Sequence, residues 1–174
     1  MQRIDLLISG GAVVCLDRAG RSFADGAIAI KGTDIRWVGP AGEARRRFRA
    51  KSVIDASGTI AMPGLIDAHF HTAQQFLRGK IAALGRTRRL KNPIWKNYYI
   101  PFEAMLEPED VYLSGMLAYT NMIGVGTTCF AEAGGPHPDE MGRAAMETGI
   151  RGFIALSTVD QGAWVPASDR KSVV

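Results

Sequence analysis

From Pro63-Gly64 onward the chain alternates two kinds of apolar pattern, and that alternation limits it to one class of architecture. "LIDAHF" (65–70) reads as a strand. "EPEDVYLSGMLAYTNMIGVG" (107–126) is long enough for a helix, with Pro108 near its first position and Glu109 and Asp110 in its first turn, where the helix dipole favours anions. Leu113, Met116, Leu117, Met122 and Ile123 approximate a stripe at helical spacing, and Gly124 and Gly126 stop it. "GTTCFAEAG" (126–134) is a second strand, "PDEMGRAAMETG" (138–149) a second helix and "IRGFIALSTVD" (150–160) a third strand. Strands alternating with helices predict a parallel sheet joined by crossovers.

Residues 1–62 follow a different grammar. "DLLISGGAVVCLD", "AIAIKGTDIRWVG" and "SVIDASGTIAMPG" are strand-like runs punctuated by glycines. The Gly-Thr-Asp at 32–34 marks a hairpin and Ser57-Gly58 a turn. The one helical pattern here is "AGEARRRF" (41–48), so this stretch is expected to form a small all-β module.

Composition narrows the class further. The chain of 174 residues is 47% hydrophobic and 22% charged, ordinary for a globular protein, and has no run of apolar residues long enough to cross a membrane. The N-terminus reads as a strand, not a signal peptide. Cys15 and Cys129 lie far apart in strand-like runs and are expected to be free, buried thiols in a reducing, cytoplasmic setting. The net charge of +4 arises largely from "RRRFR" (45–49) and "GRTRRLK" (85–91). Neither has the aromatic interleaving of a nucleic-acid surface, so solvated faces, and neither a nucleic acid nor a membrane partner, are expected.

Two of the three histidines, His69 and His71, close the first strand after Gly64. Residues i and i+2 of a strand share a face, so both imidazoles point together while Phe70 points away. The C-terminal end of such a strand is where barrels and open α/β sheets collect their chemistry. Two neutral imidazoles there can lean onto one divalent cation. Asp67 shares their face; structural use at the strand end is expected of it, with a supporting partner to the histidines as the alternative. His137, in a loop, is expected to be solvated, and Arg78 to pack in its loop.

The frame "DLLISGGAVV…DGAIAIKGTDIRWVGP…VIDASGTIAMPGLIDAHFHTAQQFLRG", with "GVGTTCFAEAG" further on, resembles the amidohydrolase superfamily of metal-dependent hydrolases. It is similar to the branch of S-adenosylhomocysteine and methylthioadenosine deaminases, guanine deaminase and triazine chlorohydrolases, from about residue 4 to about residue 167. The resemblance implies an α/β fold: an incomplete (β/α)8 TIM barrel of about three β/α units, preceded by part of a small β-sandwich. It places sandwich residues at 1–62 and barrel residues at 63–168. It implies one divalent metal, zinc foremost with iron as the alternative, held by His69 and His71. Glu103, in "IPFEAML", matches a position that contacts substrate sugar hydroxyls in the nucleoside-deaminase members; a surface carboxylate before a helix is the competing reading.

The activity implied is hydrolysis of a non-peptide carbon–nitrogen bond, foremost deamination of a purine-like heterocycle by metal-activated water. Dehalogenation or cyclic-amide hydrolysis on the same scaffold is the alternative, as is an inactive truncated product. The family's remaining metal ligands and its proton-transferring glutamate come from later strands, so no catalytic residue is expected within this chain, which alone is expected to be inactive. A small heterocyclic substrate is the expected partner, with a homo-oligomer left open. A complete barrel needs about 250 residues. The last six residues, "DRKSVV" (169–174), fit nothing in the family, and one permitted back-translation matches a sequencing-adapter oligonucleotide; they are expected to be a non-native tail.

Overall fold

The computed structural model describes residues 1–156; the expected tail at 169–174 and the end of the third barrel-type strand, 157–160, lie outside the described residues. The chain divides into two compact units, Met1–Pro63 and one beginning at Gly64.

In the first unit, β1 (Gln2–Val14), β2 (Ser22–Lys31), β3 (Asp34–Pro40), β4 (Phe48–Asp55) and the short β5 (Ile60–Ala61) form one mixed sheet in the order β3-β2-β1-β4, with β5 also on β1. β1–β2 and β2–β3 are antiparallel, the latter turning at Gly32-Thr33 as the sequence predicted. β4 and β5 run parallel to β1. Parallel neighbours need a crossover, and the β2–β3 hairpin with helix α1 (Ala41–Arg47) supplies it.

The glycine pair in β1 does not end the strand. Gly10 takes φ +98°, and a Cβ on Gly11 would lie 2.3 Å from the Ala56 carbonyl oxygen, so the strand bulges here against the turn after β4. That turn is tied by Asp55, which accepts from the Ser57 N–H and hydroxyl at 2.9 and 2.5 Å. These bonds hold the Asp55 carboxyl below its usual range.

Ile4, Leu7, Ala27, Ala29 and Phe48 from the sheet bury against Ala41 and Ala44 of α1. The unit is therefore not all-β, and among the described residues it holds one sheet rather than two facing sheets. The helix at 41–48 is amphipathic: two alanines permit close approach to the sheet, while Arg45, Arg46 and Arg47 stay exposed in its last turn. Arg47 lies over the Trp37 ring at 5.6 Å.

In the second unit, β6 (Leu65–Phe70), β7 (Thr127–Gly135) and β8 (Arg151–Leu156) form a parallel sheet in that order among the described residues. Between β6 and β7 the chain makes a 3-10 turn (Thr72–Leu77), α2 (Lys80–Thr87), a π-helical turn (Trp95–Tyr99), α3 (Ile100–Glu103) and α4 (Pro108–Gly124). Helix α5 (Pro138–Thr148) crosses from β7 to β8 and stops at Gly149 with φ +76°. The parallel sheet agrees with the expected alternation, but it does not close into a barrel among the described residues.

Helix α4 begins at Pro108, with a capping box of Glu107 and Asp110. Its buried face is not the stripe that the large apolar residues suggested. Val111, Ser114, Gly115, Ala118, Tyr119 and Met122 are buried, whereas Leu113, Leu117 and Ile123 are each nearly half exposed. The inner face alternates small and large side chains: Ser114, Gly115 and Ala118 let α4 approach α5, while Tyr119 and Met122 fill the core beside them. Tyr119 stacks on Phe130 of β7 at 4.5 Å, and Ala144, Ala145 and Ile150 complete that core. Among the described residues no helix is long and apolar enough to cross a membrane.

Candidate metal and substrate site

Strand β6 carries its pleat one residue past its end. His69 lies within it, and His71 follows with φ −123° and ψ 97°, so the i, i+2 alternation continues. The rings meet edge to face, with centroids 5.0 Å apart and an interplanar angle of 78°. Their Nε2 atoms are 3.2 Å apart. The structure thus brings together the two histidines that the sequence singled out.

Two metal–nitrogen bonds of about 2.0–2.1 Å at a tetrahedral angle set their nitrogens roughly 3.4 Å apart. The observed spacing lies close to that value. A neutral imidazole that presents its Nε2 lone pair carries its proton on Nδ1. On His71 this Nδ1 is buried with no hydrogen-bond partner. The donor set, two convergent imidazoles, fits a nitrogen-preferring divalent ion such as zinc. It supplies two ligands; among the described residues no cluster of three or more His, Cys, Asp or Glu is arranged to hold a metal.

The residues around the pair are ordered by hydrogen bonds. Asp67 Oδ1 accepts from the His69 backbone N–H at 3.2 Å, which is the structural use expected of it. The 3-10 turn after His71 carries Gln74, whose side-chain amide donates to Glu103 Oε1 at 2.7 Å. Glu103 is buried at the end of α3, so the surface-carboxylate reading is wrong. The turn and the short helix fold it inward. Arg78 is exposed in the loop after the 3-10 turn, beside Gln74 and Leu77.

His137 departs from expectation. It is half-buried at the N-terminus of α5, has φ +51°, and its Nε2 donates to the Leu106 carbonyl at 3.1 Å. It is a strut between the loop before α4 and the loop after β7, not a solvated side chain. Cys15 and Cys129 are free and half-buried.

A second polar cluster, invisible in the sequence, surrounds Thr72. Glu132 of β7 is buried, and its Oε2 accepts from the Thr72 N–H at 2.7 Å and from the Thr72 hydroxyl. Its Oε1 accepts from the Gly134 N–H at 3.2 Å. The Tyr119 hydroxyl lies 2.9 Å from Thr72 Oγ1, and the Ser114 hydroxyl donates to the Thr72 carbonyl at 2.6 Å. Burial pushes the Tyr119 phenol up to about 12. The one sequence signal for this cluster is the acidic residue in "TTCFAEAG", two positions from Phe130 and on its face of the strand.

Residues 60–172 match the Amidohydrolase family, and the chain belongs to that family. It is 38% identical over 152 residues to a 5-methylthioadenosine/S-adenosylhomocysteine deaminase of Syntrophus aciditrophicus, covering 87% of this chain and 33% of the relative. Among solved structures it resembles an adenosine deaminase from Xanthomonas campestris with bound zinc, at a TM-score of 0.80 and 29% identity, covering 97% of this chain and 38% of that one. It also resembles a variant of atrazine chlorohydrolase from Arthrobacter aurescens complexed with zinc and atraton, at a TM-score of 0.74 and 25% identity over 92% of this chain and 37% of that one. The chain spans about a third of the length of the curated relatives it matches.

Proposed function

We propose that this chain is the portion of a metal-dependent amidohydrolase that carries the first two metal ligands, and that the whole enzyme deaminates a purine nucleoside. The carrying observation is the convergence of His69 and His71 Nε2 atoms to 3.2 Å at the end of β6, in a chain of the amidohydrolase family. In this reading β6, β7 and β8 begin a (β/α)8 barrel spanning 63–168 here, and residues 1–62 belong to the accompanying β-sandwich.

His69 and His71 hold a divalent ion, foremost zinc, each through Nε2 and each neutral with its proton on Nδ1. When bound, such an ion would lower the pKa of a water molecule and so supply a nucleophile at neutral pH. Asp67, through the His69 backbone, fixes the first of these residues at the strand end. Glu103 accepts hydrogen bonds from sugar hydroxyls of the substrate, and Gln74 holds one of its oxygens in place. Water replaces the ring amine and ammonia leaves; the proton transfers belong to residues outside this chain.

Deamination is preferred to dechlorination because the curated relatives matched are nucleoside deaminases and, among solved structures, the identity to an adenosine deaminase, 29%, exceeds the 25% to the chlorohydrolase. The test is turnover of 5′-methylthioadenosine and S-adenosylhomocysteine by the zinc-loaded full-length gene product, followed as ammonia release. Release that disappears in His69→Ala and His71→Ala supports the reading. Chloride release from atrazine without ammonia from either nucleoside overturns it.

A further inference from the structure

We propose that Glu132, acting through Thr72, is a positioning residue that holds the His71 ring against His69. This rests on the reading of His69 and His71 as a metal-binding pair.

Every hydrogen-bonding group of Thr72 is engaged by a side chain from another element. Its N–H and hydroxyl go to Glu132 of β7, its hydroxyl oxygen meets Tyr119 of α4, and its carbonyl accepts from Ser114 of α4. Thr72, Ser114 and Tyr119 are fully buried and Glu132 nearly so. The Thr72 N–H and the His71 carbonyl belong to one peptide plane. Glu132 takes the first at 2.7 Å, and the Gln74 N–H donates to the second at 3.3 Å. Both ends of that plane are therefore tied, which fixes the backbone from which the His71 ring projects. The ring itself has no such tie at Nδ1. Its direction is set by the backbone behind it together with its Nε2 contact to His69.

A buried carboxylate is a poor way to gain stability. Taking a carboxylate out of water is costly even when donors surround it, and apolar packing of similar volume is often equal or better. At the end of an apolar strand a Glu that spends both oxygens on backbone and hydroxyl donors is more economically read as a device for orientation. Partners of this kind behind metal-binding side chains typically change metal affinity about 10–100-fold when removed.

The experiment compares the full-length gene product with its Glu132→Ala, Glu132→Gln and Thr72→Ser variants. Zinc affinity is read by competition with a chromophoric chelator. In metal-free protein, the ring nitrogen NMR signals of His69 and His71 report their mutual contact. Glu132→Gln keeps the volume should Glu132→Ala fail to fold, and whichever way its amide turns it sets an N–H against the Thr72 N–H or the Gly134 N–H, so the carboxylate's set of acceptances is broken. The expected result is an affinity at least about tenfold weaker in both Glu132 variants, with altered ring signals, and near-wild-type behaviour in Thr72→Ser. Wild-type affinity and ring signals in a Glu132 variant that merely melts earlier would overturn the proposal. If the wild type binds no zinc but Glu132→Gln still moves the ring signals, the positioning role stands and the functional reading falls.

Discussion

Gly115 of α4 and Ala144 of α5 are so close that a Cβ built on Gly115 would lie 2.8 Å from the Ala144 Cβ. Non-bonded carbons do not sit that near, so one helix must move when the methyl is added. Overpacking of this kind costs about 1–3 kcal/mol, against about 1 kcal/mol gained from replacing glycine within a helix. Gly115→Ala should therefore lower stability modestly in urea unfolding, and Gly115→Val should lower it more. A Gly115→Val protein as stable as the wild type would contradict this packing.

The same contact shows which parts of the fold the sequence made legible. Strand β6, the turns at Gly32-Thr33 and Ser57-Gly58, and the Pro108 start of α4 follow from local signals, and each is found where it was expected. The inner face of α4 is not. This helix is apolar most of the way round, so periodicity could not choose a side. Close approach chose Ser114 and Gly115 over Leu113 and Leu117. The short turns between Thr72 and Glu103 carry too few residues for a helical period to show. Glu132 stayed hidden because its partner Thr72 is 60 positions away in sequence. The histidine pair was legible because its two members are neighbours on one strand.

His137 supports α5 from an unfavourable backbone conformation. Its φ of +51° costs a side chain roughly 1–2 kcal/mol, and the bond to the Leu106 carbonyl holds it there. His137→Ala removes the bond and keeps the backbone cost, so it should destabilise by about 1–3 kcal/mol. His137→Gly removes both, and should be the milder change in thermal unfolding. Glycine proving worse than alanine would contradict a strained backbone at this position.

Tyr119 gives stability a dependence on alkaline pH. Its folded-state value of about 12 lies above the usual phenol value of 10.0, so the folded protein holds the phenolic proton more tightly than the unfolded chain. The associated stability is complete below pH 10 and is lost as pH rises from 10 towards 12. Tyr119→Phe cannot titrate. Urea unfolding at successive pH values should show the wild type losing ground relative to Tyr119→Phe within that window. Parallel curves for the two proteins would contradict the burial of this hydroxyl.

Glu103 offers a test of the substrate side. A hydrogen bond to a charged group is worth about 1.5–3 kcal/mol, so Glu103→Gln should lower kcat/KM for 5′-methylthioadenosine by roughly 10–100-fold. The 2′,3′-dideoxy analogue, lacking the hydroxyls that Glu103 is proposed to bind, should be much less affected. Equal losses on both substrates would make Glu103 a structural partner of Gln74 alone.

The most direct measurement is anomalous diffraction at the zinc edge from crystals of the zinc-loaded full-length gene product. An ion within about 2.0–2.1 Å of Nε2 on both His69 and His71 is the predicted result. Zinc bound elsewhere, with these two rings turned away from it, would contradict the account.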